Sequence, residues 1–377
     1  MIKGFSLGRI WKVPIQLHSS WFVIIALVTW GLATGYFPAA YPTLNTLAIW
    51  LLGGLTALLF AASVLLHELG HVAVALREKI PVKGVTLFMF GGMAQMEREP
   101  QTPGSEFRIA IAGPLVSFSL AGFFGLLWAL DQAIPWLAAP SEYLMRINLI
   151  LAIFNLVPGF PLDGGRVLRA VIWQITRSRF KATRIASLTG QLFAMGFIGF
   201  GILTAITGNI FNGLWMAMVG WLLKNAATTV YQQAGIEQSL SGVTVSQVMD
   251  NQMVEINGLT SIQQLVNEHI LPDRQQQFLV RDGDKVDGLV MLENIVSIPQ
   301  RQWPYLTVRQ VMASIDHLDG VDPTTELLTA IHKMETENRS VLPVLQNHHL
   351  VGILRKDQII RFLNLGLDTG MRNSFQG

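Results

Sequence analysis

The chain has 377 residues, a formal net charge of +2, 51% hydrophobic residues and 14% charged ones. Soluble domains average about 25% charged residues, so part of this chain suits a bilayer, and so small a net charge gives no electrostatic case for a nucleic-acid partner. Cysteine is absent, which excludes disulfides, thiolate metal ligands and thiol catalysis.

The basic opening MIKGFSLGRIWKVPIQLHSS leads into an apolar run. No small-x-small cleavage site follows a short apolar core, and the run from Trp21 to Phe37 is nearly long enough to span, so an uncleaved first helix is expected. Apolar runs place spans at 20–37, 46–75, 108–130, 143–159, 185–207 and 210–224, the fourth and sixth being short. Lys and Arg gather before the first span, between the second and third (Arg77, Lys79, Lys83, Arg98), and between the fourth and fifth (Arg166, Arg169, Arg177, Arg179, Lys181, Arg184). The other three loops contain none. This alternation puts both termini in the cytoplasm of a multi-pass protein, with the cell membrane the expected site.

The second span carries His67-Glu68-Leu69-Gly70-His71. Residues 48–66 before it hold no charge, and the first charged side chain after it is Arg77. A charged side chain in hydrocarbon costs ~2.5–3.5 kcal/mol on insertion scales, so the cluster needs compensation. On a helix, positions i and i+4 share a face, and His67 and His71 can reach one zinc ion. Glu68 lies one residue round, placed to take a proton from water at that metal. A polar helix–helix contact or a proton relay is the plainer alternative. With 1.5 Å of rise per residue, the histidines lie ~10 Å inside the cytoplasmic boundary.

Residues 84–97, GVTLFMFGGMAQME, are too short and too rich in β-formers for a span. They suggest a hairpin, turned at Gly91-Gly92. In the third span Gly113-Pro114 marks a kink or a close helix contact. The fourth span runs into Asn155-Leu-Val-Pro-Gly-Phe-Pro-Leu-Asp163-Gly-Gly-Arg166, where Pro158, Pro161, Gly164 and Gly165 break the helix. Asp163 is the best third ligand here; it could equally cap a helix beginning near Gly164. Asn155 reads as an interhelical hydrogen-bond donor. The Phe and Met clusters of the last two spans suit lipid and packing surfaces.

Beyond residue 235 the composition turns soluble, and the chain repeats itself. TVSQVMD (244–250) recurs as TVRQVMA (307–313), and GLVMLENIV (288–296) as GILRKDQII (352–360). Such a period, with strand and helix signals, means two copies of one small α/β unit, about 244–300 and 307–365.

HELGH inside a membrane span, followed about ninety residues later by NLVPGFPLDGG, resembles the site-2 protease family of intramembrane zinc metalloproteases. SLGRIWKVPIQLHSSW, FGGMAQM and IAIAGPLVSF are similar to the same family. The resemblance implies one zinc per chain held by His67, His71 and Asp163, with Glu68 as catalytic acid/base. It implies that Asn155 meets the substrate backbone or the oxyanion. It also makes the strand edge at Gly91 and Gly92 a place where extended substrate pairs by β-augmentation, instead of an ordinary surface hairpin. The substrate class it implies is a single-pass membrane protein, cleaved in regulated intramembrane proteolysis.

The tail resembles a tandem pair of CBS (cystathionine-β-synthase-type) domains. Such pairs often hold an adenine nucleotide beside a Gly, a Ser/Thr three residues on and an Asp three further. Here Met291 and Asn294 follow Gly288, and Arg355 and Gln358 follow Gly352, with Asp357 displaced by one. Both hydroxyls are missing, which leaves nucleotide sensing beside a structural or homodimerising role. The expected whole is a multi-pass α-helical membrane protein of about six transmembrane helices with a short membrane-associated β-hairpin (1–235), plus a cytoplasmic α/β CBS pair (236–377). Two other functions compete. A CBS-regulated transporter would spread ionisable residues over several spans or show inverted repeats, and neither is seen. A proteolytically inactive adaptor of the same fold would not need intact His67, Glu68, His71 and Asp163.

Overall fold

The computed structural model describes residues 4–88, 91–130, 132–251, 253–273, 277–282, 285–314, 319–347 and 349–369. These divide into two compact units, Met1–Ala234 and Gly235–Gly377.

In the first unit a hairpin of β1 (Gly4–Ile10) and β2 (Val13–His18) precedes α1 (Ser20–Ala40). α2 (Thr46–Arg77) follows, capped by the Asn45 side chain, which accepts from the Ala48 N–H at 2.8 Å. Then come β3 (Val82–Phe88), β4 (Gly91–Met96), α3 (Pro103–Leu130), α4 (Pro135–Asn155), α5 (Asp163–Thr176), α6 (Arg179–Ile206) and α7 (Ile210–Leu240). α1, α2, α3, α4 and α6 are each long and apolar enough to cross a bilayer. Leu51, Leu58, Phe123, Leu126, Phe200 and Leu203 stand exposed on them, as lipid-facing side chains should.

α4 begins eight residues before the expected start of the fourth span, and takes in most of DQAIPWLAAPSEY, read above as a loop. Pro135 lies in its first turn, where a missing N–H costs nothing. Buried Ala139 then packs with Leu32, Phe37 and Leu52, which stabilises that early turn. α7 is more polar than the other five, because its last ten residues are YQQAGIEQSL. Its first half nevertheless returns along α6. A Cβ on Gly201 of α6 would lie 2.7 Å from the Ala217 nitrogen and the Gly213 carbonyl, and one on Gly220 would lie 2.9 Å from the Ala194 carbonyl. Only an antiparallel pair with backbones in near contact gives that order.

The four strands form one sheet, ordered β1-β2-β3-β4. β1–β2 and β3–β4 are antiparallel, while β2 and β3 run parallel with Ile15 opposite Val85 and Leu17 opposite Leu87. Val13, Leu17, Val85 and Leu87 pack on Val64 and Val72 of α2, so the sheet lies along one stripe of that helix. The expected hairpin is therefore half of a larger sheet. Its turn is not at the glycines. Phe88 pairs with Gly91 and Leu87 with Gly92, which places both glycines in β4; residues 89–90 lie outside the described residues.

The second unit holds β5 (Val254–Asn257), β6 (Gln277–Asp282), β7 (Lys285–Met291) and β8 (Ala313–Ser314) in one sheet, and β9 (Val341–Gln346) with β10 (His349–Arg355) in another. The helices α8 (Leu327–Thr336) and α9 (Lys356–Thr369) belong to the second copy. The two copies exchange their leading segments. Asp250, which opens the first copy, bridges to Ile353 of the second, and Ala313, which opens the second, pairs with Leu289 of the first. Leu240, Val245 and Val248 accordingly share a core with Leu342 and Leu354, and Val308 shares one with Phe278 and Val290. The sequence repeat begins at 244 and 307; the packed cores cross that boundary.

Candidate metal centre

Successive stripes of α2 divide the work. Val64, Glu68 and Val72, four residues apart, face the sheet, while His67 and His71 form the neighbouring stripe. Both histidines are 4% exposed. Their outer nitrogens are engaged: Nδ1 of His71 donates to the Ile109 carbonyl at 2.7 Å, and Nδ1 of His67 meets Oγ of Ser117 at 2.9 Å. That leaves both Nε2 atoms facing the same space, toward Oδ2 of Asp163 at 3.1 Å from His67 and 3.2 Å from His71.

Asp163 reaches them because the chain turns sharply between α4 and α5. Asp163 is the first residue of α5, after Leu162 at the N-cap, and no side chain caps this helix. The Asp163 side chain turns inward, toward the two histidines. α5 is held in place by a buried ion pair, with Nε and Nη2 of Arg169 both 2.5 Å from Oε1 of Glu106 on α3, and the Arg169 guanidinium lies 5.1 Å over the Phe160 ring.

One face of α3 thus builds the floor: Glu106, Ile109, Gly113 and Ser117, spaced three, four and four apart. Gly113 is where the missing side chain matters. A Cβ there would lie 2.6 Å from Nε2 of His67 and closer still to Nε2 of His71, in the volume where an ion shared by these nitrogens would sit. Ligand bonds of about 2.0–2.1 Å in a tetrahedron hold ligand atoms about 3.3 Å apart. The three nitrogen and oxygen atoms lie within 4.8 Å of one another, with two edges at 3.1 and 3.2 Å. Two imidazoles, one carboxylate and a filled outer shell of partners therefore fit a zinc ion with one position left for water.

Glu68 sits against β4. A Cβ on Gly92 would lie 2.7 Å from its Cδ and 2.9 Å from its Oε1. Gly92 is thus the seat of Glu68. β4 is the outer strand of the sheet, so its far edge has no strand partner among the described residues. Asn155 ends α4 half-buried, and its amide donates to the Leu151 carbonyl of its own helix at 3.0 Å.

The sequence assigns Gly113 only a kink or a close helix contact, and gives no place in the site to Ser117, the Ile109 carbonyl or the Glu106–Arg169 pair. IAIAGPLVSF, which contains three of them, was the available signal; the fourth rests on two charges 63 residues apart that no spacing rule joins.

Known proteins with these features can be compared directly. The model of Peptidase family M50 matches residues 55–134 and 131–197, and that of the CBS domain matches residues 308–365. A Synechocystis protein named "Putative zinc metalloprotease" is 36% identical over 96% of this chain and 96% of its own. A zinc metalloprotease of Methanocaldococcus jannaschii is 29% identical over 95% of this chain and 96% of its own. The structure of the site-2 protease from the same archaeon covers 61% of this chain and 95% of its own at 28% identity, with a TM-score of 0.41.

Proposed function

From the premise that this chain belongs to peptidase family M50, and is an intramembrane zinc metalloprotease of the site-2 type with CBS domains, we propose that it cleaves single-pass membrane proteins in regulated intramembrane proteolysis, under the control of its tail. The convergence of His67, His71 and Asp163 beside Glu68 carries this reading. The three ligand residues hold the zinc, which when bound polarises the scissile carbonyl and acidifies water. Glu68 accepts the proton of the attacking water and delivers it to the leaving nitrogen. An extended substrate segment pairs with the open edge of β4, which presents its peptide bonds beside Glu68; Asn155 meets that backbone. The six-span topology with both termini cytoplasmic is supported by the charge alternation and by the return of α7 along α6.

For the tail, a ligand is supported by a cavity of about 520 Å³ lined by Gln277, Ser340, Arg355, Lys356, Asp357 and Arg361, among others. Arg355 stands where CBS pairs carry a phosphate-side hydroxyl; its guanidinium, now 3.5 Å from the carboxylates of Asp250 and Asp357, would turn from them to a phosphate. We assign this cavity to an adenine nucleotide.

Cleavage of a single-pass substrate by the purified protein tests the main claim. Glu68→Gln should keep the zinc and lose cleavage by at least about a hundredfold, the scale of general-base catalysis. Cleavage at the wild-type rate would remove Glu68 from the mechanism.

A further inference from the structure

Arg166 follows Asp163 by one turn of α5, and on a helix a long side chain leans back over the preceding turn. Asp163 and Arg169 lie one turn to either side of it on α5. Arg169, one turn further, is neutralised by Glu106 and covered by Phe160. Arg166 is different. It is partly open to solvent, and among the described residues its guanidinium has no hydrogen-bond or ion-pair partner. A guanidinium carries five N–H donors in a rigid fork. Its donors are met by water, which a well-placed anion can displace.

We propose that Arg166 binds the carbonyl-side half of the substrate and, after hydrolysis, the carboxylate that this half acquires. The inference rests on the protease reading and adds a contact to it. In the reaction a water oxygen bonds to the carbonyl carbon and the C–N bond breaks. The nitrogen leaves as an amine with a proton taken through Glu68, and the carbonyl half becomes a carboxylate. The one new anion therefore appears on the side of the bond that a guanidinium fork fits, by two parallel N–H···O bonds. Asn155 is a poorer candidate for this contact, since its amide is neutral and one of its two donors is engaged by Leu151, which leaves the other for the substrate backbone.

The test uses the full zinc-loaded chain in detergent micelles. Two acetylated hydrophobic tetrapeptides serve as probes, identical except that one ends in a free carboxylate and the other in a carboxamide. Arg166→Gln should weaken the acid by about tenfold or more and the amide by less than about threefold, with zinc content unchanged. Arg166→Lys keeps the charge without the fork and should fall between, which preserves the test if the glutamine variant folds poorly. An acid affinity untouched by both substitutions, or equal losses for both peptides, overturns the assignment. Failure of the wild-type chain to cleave any membrane substrate would instead strike the protease reading, and binding is measured independently of that.

Discussion

Gly113 and Gly92 matter at this site for what they lack, and each makes a prediction at the residue scale. Gly113→Ala puts a methyl group into the space shared by the two Nε2 atoms, so zinc content should fall sharply while the helix itself, which favours Ala over Gly by about 1 kcal/mol, still forms. Undiminished zinc in that variant would mean the ion sits elsewhere. Gly92→Val would displace Glu68 without touching a ligand; zinc should stay and cleavage should go. Glu106→Gln leaves Arg169 buried without its counter-charge, and breaking such a pair costs about 3–5 kcal/mol. The expected result is a lower melting temperature with Asp163 loosened, read as weaker zinc retention against a chelator. The shared face of His67 and His71 was legible because a helix fixes the relation of residues four apart, whereas Asp163, on another helix, stood out only through the family resemblance. The floor beneath them was not, because it is made of a carbonyl, a missing side chain and a hydroxyl on a different helix.

Among the elements, the apolar runs located the five helices that are long and apolar enough to cross a bilayer, with errors at the ends; the sixth expected span, 210–224, falls in α7, which is not among them. Hydropathy cannot see that Ala139 packs against Leu32 and Phe37, so the first turns of α4 looked like a loop. The β1–β2 hairpin was missed altogether. Its alternation, Val13, Ile15 and Leu17 inward, is plain once the sheet is known, but Lys3, Arg9 and Lys12 made the segment look like a leader. That sheet carries the functional consequence, since it positions β4 against Glu68 and leaves the β4 edge open. The fate of α7 decides the topology. Reporter fusions after Ala133 and Gly208 should read as external, and fusions after Glu99 and Phe180 as cytoplasmic. A fusion at Gly377 should also read as cytoplasmic; an external reading there would mean that α7 does not cross.

For the whole molecule, the repeat in the tail was visible in sequence, but the exchange of leading segments was not, since pairing partners are chosen by packing and not by order along the chain. The exchange makes the two copies one folding unit, so a tail beginning before Leu240 should unfold in a single transition, and one beginning at Asp250 should not. ATP at a hundredfold excess over its dissociation constant would stabilise that tail by about 2.7 kcal/mol. A clear rise in melting temperature, lost in Arg355→Ala, is expected; no rise would leave the tail to dimerisation. The account as a whole turns on the metal centre joining α2 to α5. Elemental analysis of the purified full chain should find about one zinc per molecule. His67→Ala, His71→Ala and Asp163→Ala should each fall well below that, while Glu68→Gln should keep it. Full zinc in all three ligand variants would contradict the account.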